Sequence, residues 1–250
     1  MDFWLKLKRL LNFDSLHYNN KVCNICFTGI YCFDDNYGSA MKPYYQDSHV
    51  TIYHGDSYDL MRYLDPVDLV IADPPYGIKF QSNRRINKHN IIENDDNLPV
   101  DSIKMSISKA NRGAYVFCRW DNLHEMPKPK SVLVWVKNNW SMGDLQHEHG
   151  RQWEACCFYS KKDHEFIKRI PDVLHENITG NDLHPTQKPA GLIKQLIECN
   201  VCDTILDPFM GSGTTLRAAK DLNRKAIGIE ISEKYCEIGA KRMAQEVMQF

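Results

Sequence analysis

Residues 73–76 read Asp-Pro-Pro-Tyr and follow an unbroken apolar run, Leu-Val-Ile-Ala at 69–72. Pro74 and Pro75 fix φ and remove two N–H donors. What is left is a stiff array of acceptors, the Asp73 carboxylate and the Pro74 carbonyl, beside the aromatic face of Tyr76. Two neighbouring acceptors suit an exocyclic –NH2 group, and the ring suits stacking on the flat base that carries it. The lone pair of such an amine, adenine N6 for example, is delocalised and weakly nucleophilic. Acceptors on both hydrogens favour a more tetrahedral nitrogen, and a carboxylate stabilises the positive charge that grows there as a methyl group arrives. Positioning two bound substrates for in-line displacement does the rest. A base inside a duplex reaches such a pocket only when flipped out. A Pro-Pro turn that merely closes a strand is the plain structural alternative.

The second candidate is a glycine-rich turn, Asp207-Pro208-Phe209-Met210-Gly211-Ser212-Gly213-Thr214-Thr215. It follows a short apolar strand and opens a helix, the setting in which a nucleotide fingerprint works. No Lys precedes the Thr pair, so it is not a phosphate-binding P-loop, and it lacks G-x-G-x-x-G. Glycines at 211 and 213 let the backbone approach a ligand closely. Glu230 ends the next strand, where a carboxylate accepts the hydroxyls of a ribose. An adenosine-ribose site with no strong demand for phosphate fits a sulfonium nucleoside, S-adenosylmethionine. A simple strand–turn–helix with Ser and Thr as caps is the alternative.

These residues need elements to hold them. Strands are expected at 49–53, 68–72, 114–118, 131–136, 153–159, 204–206 and 225–229. Helices are expected at 58–64, 99–111, 188–199, 215–222 and 232–247, and residues 160–186 read as loop. Strands alternating with helices predict an α/β fold with a doubly wound, mainly parallel sheet. Ligands of such sheets bind beyond the carboxyl ends of the strands. Asp56, Asp73, Asp207 and Glu230 all fall at strand ends and are expected along one rim.

The chain has 250 residues and a formal net charge of −1, so any nucleic-acid contact must come from a local basic patch. The longest apolar runs, such as Val132 to Val136, are too short to span a bilayer. No apolar stretch follows Lys6, Lys8 and Arg9, so no secretory signal is expected. Nine cysteines then read as reduced thiols, and Cys23-x-x-Cys26, near His17 and Cys32, as incidental. His147 and His149 lack an evident third ligand, and no metal is expected.

In chain order, Asp73–Tyr76, His184-Pro-Thr-Gln-Lys-Pro189 and Asp207–Thr215 resemble the β-class DNA amino-methyltransferases, in which the catalytic motif precedes the cofactor loop by circular permutation. Tyr53-His-Gly-Asp56, Phe117-Cys-Arg-Trp-Asp121, Val134-Trp-Val-Lys137 and Gly228-Ile-Glu230 are similar too, and the likeness covers about residues 41–247. It implies a Rossmann-like, seven-stranded sheet with one antiparallel strand. It assigns Asp73, Pro74, Pro75 and Tyr76 to the flipped base. To the cofactor, S-adenosylmethionine, it assigns Asp56, His184, Thr186, Gln187, Lys188, Asp207, Pro208, Phe209, Gly211, Ser212, Gly213, Thr214 and Glu230. Residues 184–189 would underlie the methionine half and Asp56 would face the adenine. In this family Asp before Pro-Pro-Tyr usually marks adenine N6 and Ser marks cytosine N4, so Asp73 favours adenine.

The partner is then double-stranded DNA, met by a monomer or homodimer in the cytoplasm of a bacterium or phage host, with a cognate restriction endonuclease as a possible companion. Lys79, Arg84, Arg85 and Lys88 form the most basic window, directly after the catalytic turn, and are expected to contact DNA. The segments at about 79–98 and 137–183, the latter carrying Lys161, Lys162, Lys168 and Arg169, are expected to be DNA-recognition insertions in a methyltransferase domain of residues 41–250. Residues 1–40 have no counterpart in the family. They are expected to pack poorly and to carry no catalysis. The rival readings are a cytosine-N4 enzyme, an inactive relic that binds DNA or cofactor without turnover, and a nicotinamide-dependent dehydrogenase, disfavoured by the missing G-x-G-x-x-G.

Overall fold

Val67 to Ala72 is apolar apart from Asp68, and Leu69 to Ala72 are at most 1% exposed. A strand buried on both faces must lie inside a sheet covered on both sides. The computed structural model shows this arrangement. It describes residues 42–77, 97–140, 146, 147, 149–178 and 187–245, all in one unit, Phe33–Phe250. In chain order the elements are β1 (Tyr45–Gln46), β2 (Val50–His54), α1 (Ser57–Met61), β3 (Val67–Ala72), α2 (Val100–Ser108), β4 (Ala110–Cys118), β5 (Ser131–Val136), β6 (Trp153–Ser160), β7 (Val173–His175), α3 (Ala190–Glu198), β8 (Thr204–Asp207), α4 (Thr214–Asp221), β9 (Lys225–Glu230) and α5 (Glu233–Ala244).

The nine strands form one sheet in the order β1-β2-β9-β8-β3-β4-β6-β5-β7. β2, β9, β8, β3 and β4 run parallel, and β6 is antiparallel to both β4 and β5. All seven expected strands are present, with β6 as the antiparallel member. The two additional strands, β1 and β7, are edge strands of two and three residues. They are too short to show a period, and β7 corrects the reading of 160–186 as loop throughout.

Alternation along the strands divides the core in two. Ile52, Leu69, Ile71, Tyr115, Phe117 and Ile205 face the apolar sides of α3, α4 and α5. Tyr53, Val70, Ala72, Val116, Leu206 and Ile229 face α1 and α2. Each fully buried Leu or Ile contributes about 1.5–3 kcal/mol. Gly228 lets α4 approach β9, since a Cβ there would lie 2.7 Å from both Leu216 Cδ2 and Met210 Sδ. All six cysteines among the described residues are free and buried, Cys199 and Cys202 included. No helix among the described residues is long and apolar enough to cross a membrane.

Candidate active site

The parallel order β2, β9, β8, β3 sets Asp56, Glu230, Asp207 and Asp73 in a row along the carboxyl edge of the sheet. The four acids expected on one rim are there. Asp73 stands one residue past β3, which stops because Pro74 and Pro75 have no N–H with which to continue a ladder.

The glycine-rich turn is held mainly through its backbone. Phe209 N donates to Asp207 Oδ1 (3.1 Å), and Met210 N donates to the Ile229 carbonyl (3.0 Å). Gly211 N donates to Glu230 Oε2 and Ser232 N to Oε1, both at 2.9 Å. Thus Glu230 braces the turn from the end of β9. Gly213 precedes α4 with φ +80°, a left-handed conformation that a side chain disfavours. Ser212 Oγ donates to Gln187 Oε1 at 3.3 Å, tying this turn to the segment before α3.

Between the turn and Asp73 lies an open cleft. Asp73, Gln187, Lys188, Asp207, Phe209, Gly211, Ser212 and Thr214 line it, with Ile71 and Phe117 as apolar wall. The catalytic candidate and the cofactor candidates therefore share one space. Asp207 is buried, and burial pushes its carboxyl up to about 7. Hydrogen bonds from Thr215 and the Phe209 amide oppose that rise, while the charges of Asp73 and Glu230 add to it.

At the other end the acceptor is enclosed by side chains. Tyr76 Oη donates to Asp73 Oδ1 at 2.7 Å. Lys188 Nζ donates to Asp73 Oδ2 at 2.6 Å and to Tyr76 Oη at 3.2 Å, and pairs with Glu154 Oε2 at 3.2 Å. Lys137 Nζ pairs with Glu154 Oε1. Burial alone would lower the Lys188 pKa, but Asp73 and Glu154 raise it above the ordinary lysine range. Burial alone would raise that of Glu154, but Lys188 and Lys137 hold it at about 2. Burial, then the charges of Asp73 and Glu154, push the Tyr76 phenol well up, so it stays a neutral donor. The site therefore offers a fixed acceptor, held by Tyr76 and Lys188, beside a ligand cleft.

Known proteins with this pattern carry a common chemistry. The family model for N6/N4 methyltransferases, described as DNA methylase, matches residues 166–241. The methylase YubD of Escherichia coli K12, named as putative, is 31% identical over 206 residues, spanning 73% of this chain and 85% of that protein. The chain belongs to the N6/N4 DNA methylase family. The DNA adenine methyltransferase YhdJ of the same organism is 26% identical over 77% of this chain and 82% of its own. The crystal structure of an M1.HpyAVI–SAM complex superposes with a TM-score of 0.60 at 25% identity, covering 77% of this chain and 99% of that one.

Within this methylase, several assigned residues have structural partners of their own. Lys188 lines the cleft, but its ammonium is on Asp73 and Glu154. Asp56 is the N-cap of α1, where Oδ1 accepts from Tyr58 N (2.8 Å) and Asp59 N (3.2 Å). Pro208, Gly213 and Glu230 shape or brace the turn. His184, Thr186, Lys79, Arg84, Arg85, Lys88, His17, Cys23, Cys26 and Cys32 lie outside the described residues. The segment 137–183 divides. Residues 137 and 152 meet at the Asp73 end, where Lys137 N donates to the Gln152 carbonyl at 2.8 Å. Lys161 and Lys162 follow the other end of β6, beside Arg112 near the start of β4, because β6 runs antiparallel. Lys168, bonded through its N–H to the Cys199 carbonyl, is at that far end too, so these lysines are remote from Asp73. Sequence reasoning missed Glu154. Its signal was an acid inside the apolar string Trp-Glu-Ala-Cys-Cys-Phe, where a charge needs a buried partner.

Proposed function

We propose that this chain transfers a methyl group from S-adenosylmethionine to N6 of an adenine flipped out of duplex DNA. The observation that carries the reading is the shared cleft: Asp73 and the Gly211–Thr214 turn line the same space. Its donor set suits the cofactor. Acids at 73 and 207 in its lining suit a ligand with cationic centres, and Phe117, Phe209 and Ile71 offer apolar wall. S-adenosylmethionine supplies an electrophilic methyl group on a sulfonium.

The chain's own residues do the rest. The Asp73 carboxylate and the Pro74 carbonyl accept the two N6 hydrogens and turn the lone pair towards the methyl group. With the cofactor held in the cleft, its methyl group would pass to the N6 lone pair while the sulfur would keep the S–C electron pair, and the surplus N6 proton would leave by way of the Asp73 carboxylate to solvent. Asp73 stabilises the cation that forms on the nitrogen. In this structure both of its oxygens already accept one hydrogen bond, from Tyr76 and from Lys188, and each retains a second lone pair for the amine. The Tyr76 ring offers a stacking face for the extruded base. Lys79, Arg84, Arg85 and Lys88 are the proposed phosphate contacts, in the cytoplasm where the DNA lies.

Incubating the protein with unmethylated DNA and labelled S-adenosylmethionine, digesting to nucleosides and identifying the product by mass spectrometry tests this directly. Labelled N6-methyladenine is expected. Labelled N4-methylcytosine would overturn the reading of Asp73 as an adenine signal. No label on DNA of varied sequence, with cofactor bound, would overturn methyl transfer.

A further inference from the structure

We propose that Glu154 is a positioning residue for the transfer, acting through Lys188 on Asp73. The inference rests on the methyl-transfer reading above and goes beyond it, because Glu154 touches neither the cleft nor the proposed base.

Four charged groups from four places form an alternating row. Asp73 follows β3, Lys188 precedes α3, Glu154 is the second residue of β6, and Lys137 follows β5. Lys188 Nζ has three hydrogens and three acceptors within reach: Asp73 Oδ2 (2.6 Å), Tyr76 Oη (3.2 Å) and Glu154 Oε2 (3.2 Å). Its side chain is 6% exposed and that of Glu154 18%. Tyr76 Oη has one hydrogen, given to Asp73 at 2.7 Å against 3.3 Å to Glu154. The network thus fixes the plane of the Asp73 carboxylate through both oxygens.

The need for Glu154 follows from the charge on Lys188. An ammonium paired with Asp73 alone would hold the acceptor still but oppose the positive charge that the nitrogen must develop, and in a dry site such opposition is strong. A second carboxylate on the far side of the lysine offsets that ammonium, leaving the Asp73 charge available to the substrate. Lys137 in turn neutralises Glu154, so the row as a whole is neutral. The placement is rigid. Extending the β4–β6 register from Cys118↔Ala155 sets Glu154 opposite Arg119, and Trp135 is its partner in β5. Buried ion pairs contribute little to stability compared with apolar side chains of similar volume. Ala155, Cys156 and Cys157 next along the strand are buried and uncharged, so packing alone does not call for an acid at 154.

The test is a double-mutant cycle in the DNA methylation assay, with Glu154→Gln, Lys188→Met and the pair, each verified as folded by a cooperative thermal melt. Glu154→Gln is expected to lower kcat about 10- to 100-fold, the scale seen when an outer partner of a reacting group is lost. KM for S-adenosylmethionine should stay within about twofold, and Glu154→Asp should recover part of the rate. On the Lys188→Met background, Glu154→Gln should change kcat by no more than about twofold, because the relay is already cut. Wild-type kcat in Glu154→Gln, or its full factor persisting on Lys188→Met, would overturn the inference. If the Gln variant does not fold, Glu154→Asp and Lys137→Met carry the same test: a fall in kcat with KM unchanged supports the relay, and unchanged kcat in both overturns it. A wild-type protein that methylates no DNA would instead overturn the methyl-transfer reading itself.

Discussion

At the Asp73 end of the cleft, side chains from β6 and from the segments after β3, after β5 and before α3 grip one another in a charged row, which holds the proposed acceptor in place. At the Gly211 end the materials are backbone amides, a left-handed glycine and a carboxylate that braces the turn from behind. The first end is specified by which side chains are present. The second is specified by which side chains are absent. A site for chemistry and a site for binding therefore fail differently when altered, and that difference can be measured.

The largest effect should come from Asp73→Ala. It removes the proposed amine acceptor and leaves Lys188 with Glu154 and Tyr76, while the glycine-rich turn is untouched. Turnover is expected to fall by about a thousandfold, the upper scale for losing one preorganised electrostatic contact, with the dissociation constant for S-adenosylmethionine nearly unchanged by calorimetry. Methylation at the normal rate would refute the assignment of the acceptor. Gly213→Ala should do the reverse. No atom beyond its chain neighbours lies nearer than 3.6 Å to the added Cβ, so the penalty is the strain of φ +80° rather than a collision. That strain is about 1–2 kcal/mol. Where the turn relaxes to relieve it, cofactor affinity should drop about tenfold while kcat at saturating cofactor holds. A loss of kcat with affinity intact would show that the two ends are not separable.

The same division explains what was legible in the sequence. Asp73–Tyr76 and Asp207–Thr215 are contiguous strings, and each follows an apolar strand, so both their chemistry and their place on the rim could be read. The sheet was legible for a similar reason: strands such as the apolar run Leu69–Ala72 and the alternating Val50–Tyr53 stand out in the sequence. β1 and β7 were not, having two and three residues and pairing only at the edges. Lys188 was recognised but given to the cofactor, since a motif states which residues are adjacent in the chain and not which way a side chain turns. Glu154 lies 81 positions from Asp73 and 34 from Lys188, counted as 154 − 73 and 188 − 154, and only the β4-β6-β5 order brings them together. Asp56 was placed correctly on the rim, but a carboxylate directly before a helix is also a cap.

A smaller effect distinguishes the two ends by pH. Asp207 has its carboxyl pushed up to about 7, chiefly by burial, against a reference of 3.8. A folded-state pKa raised in this way gives stability that is complete below the reference value and is lost as pH climbs through about 7. The unliganded protein should therefore lose part of its stability between pH 4 and 7 through this group, and Asp207→Asn should flatten that part of the profile. A cationic cofactor favours the ionised form and lowers the pKa on binding. Affinity for S-adenosylmethionine should then rise with pH, by up to about tenfold between pH 6 and 8, the limit set by release of one proton. Equal slopes in wild type and Asp207→Asn would locate the titrating group elsewhere.

The smallest effect concerns Asp56, at the margin of the binding end. Its Oδ1 caps α1 through two backbone N–H groups. A cap residue replaced by alanine costs about 1 kcal/mol of stability, and asparagine caps about as well as aspartate. Asp56→Ala should thus lower the melting temperature by a few degrees, and Asp56→Asn should restore it. If capping is the residue's whole contribution, both variants bind S-adenosylmethionine within about twofold of wild type, the scatter expected of independent sites. If the carboxylate also meets the cofactor adenine, Asp56→Asn separates the two roles, because it keeps the capping oxygen and loses the charge. A drop in affinity in Asp56→Asn at unchanged melting temperature would then extend the binding end of the cleft from β8 and β9 to the tip of β2.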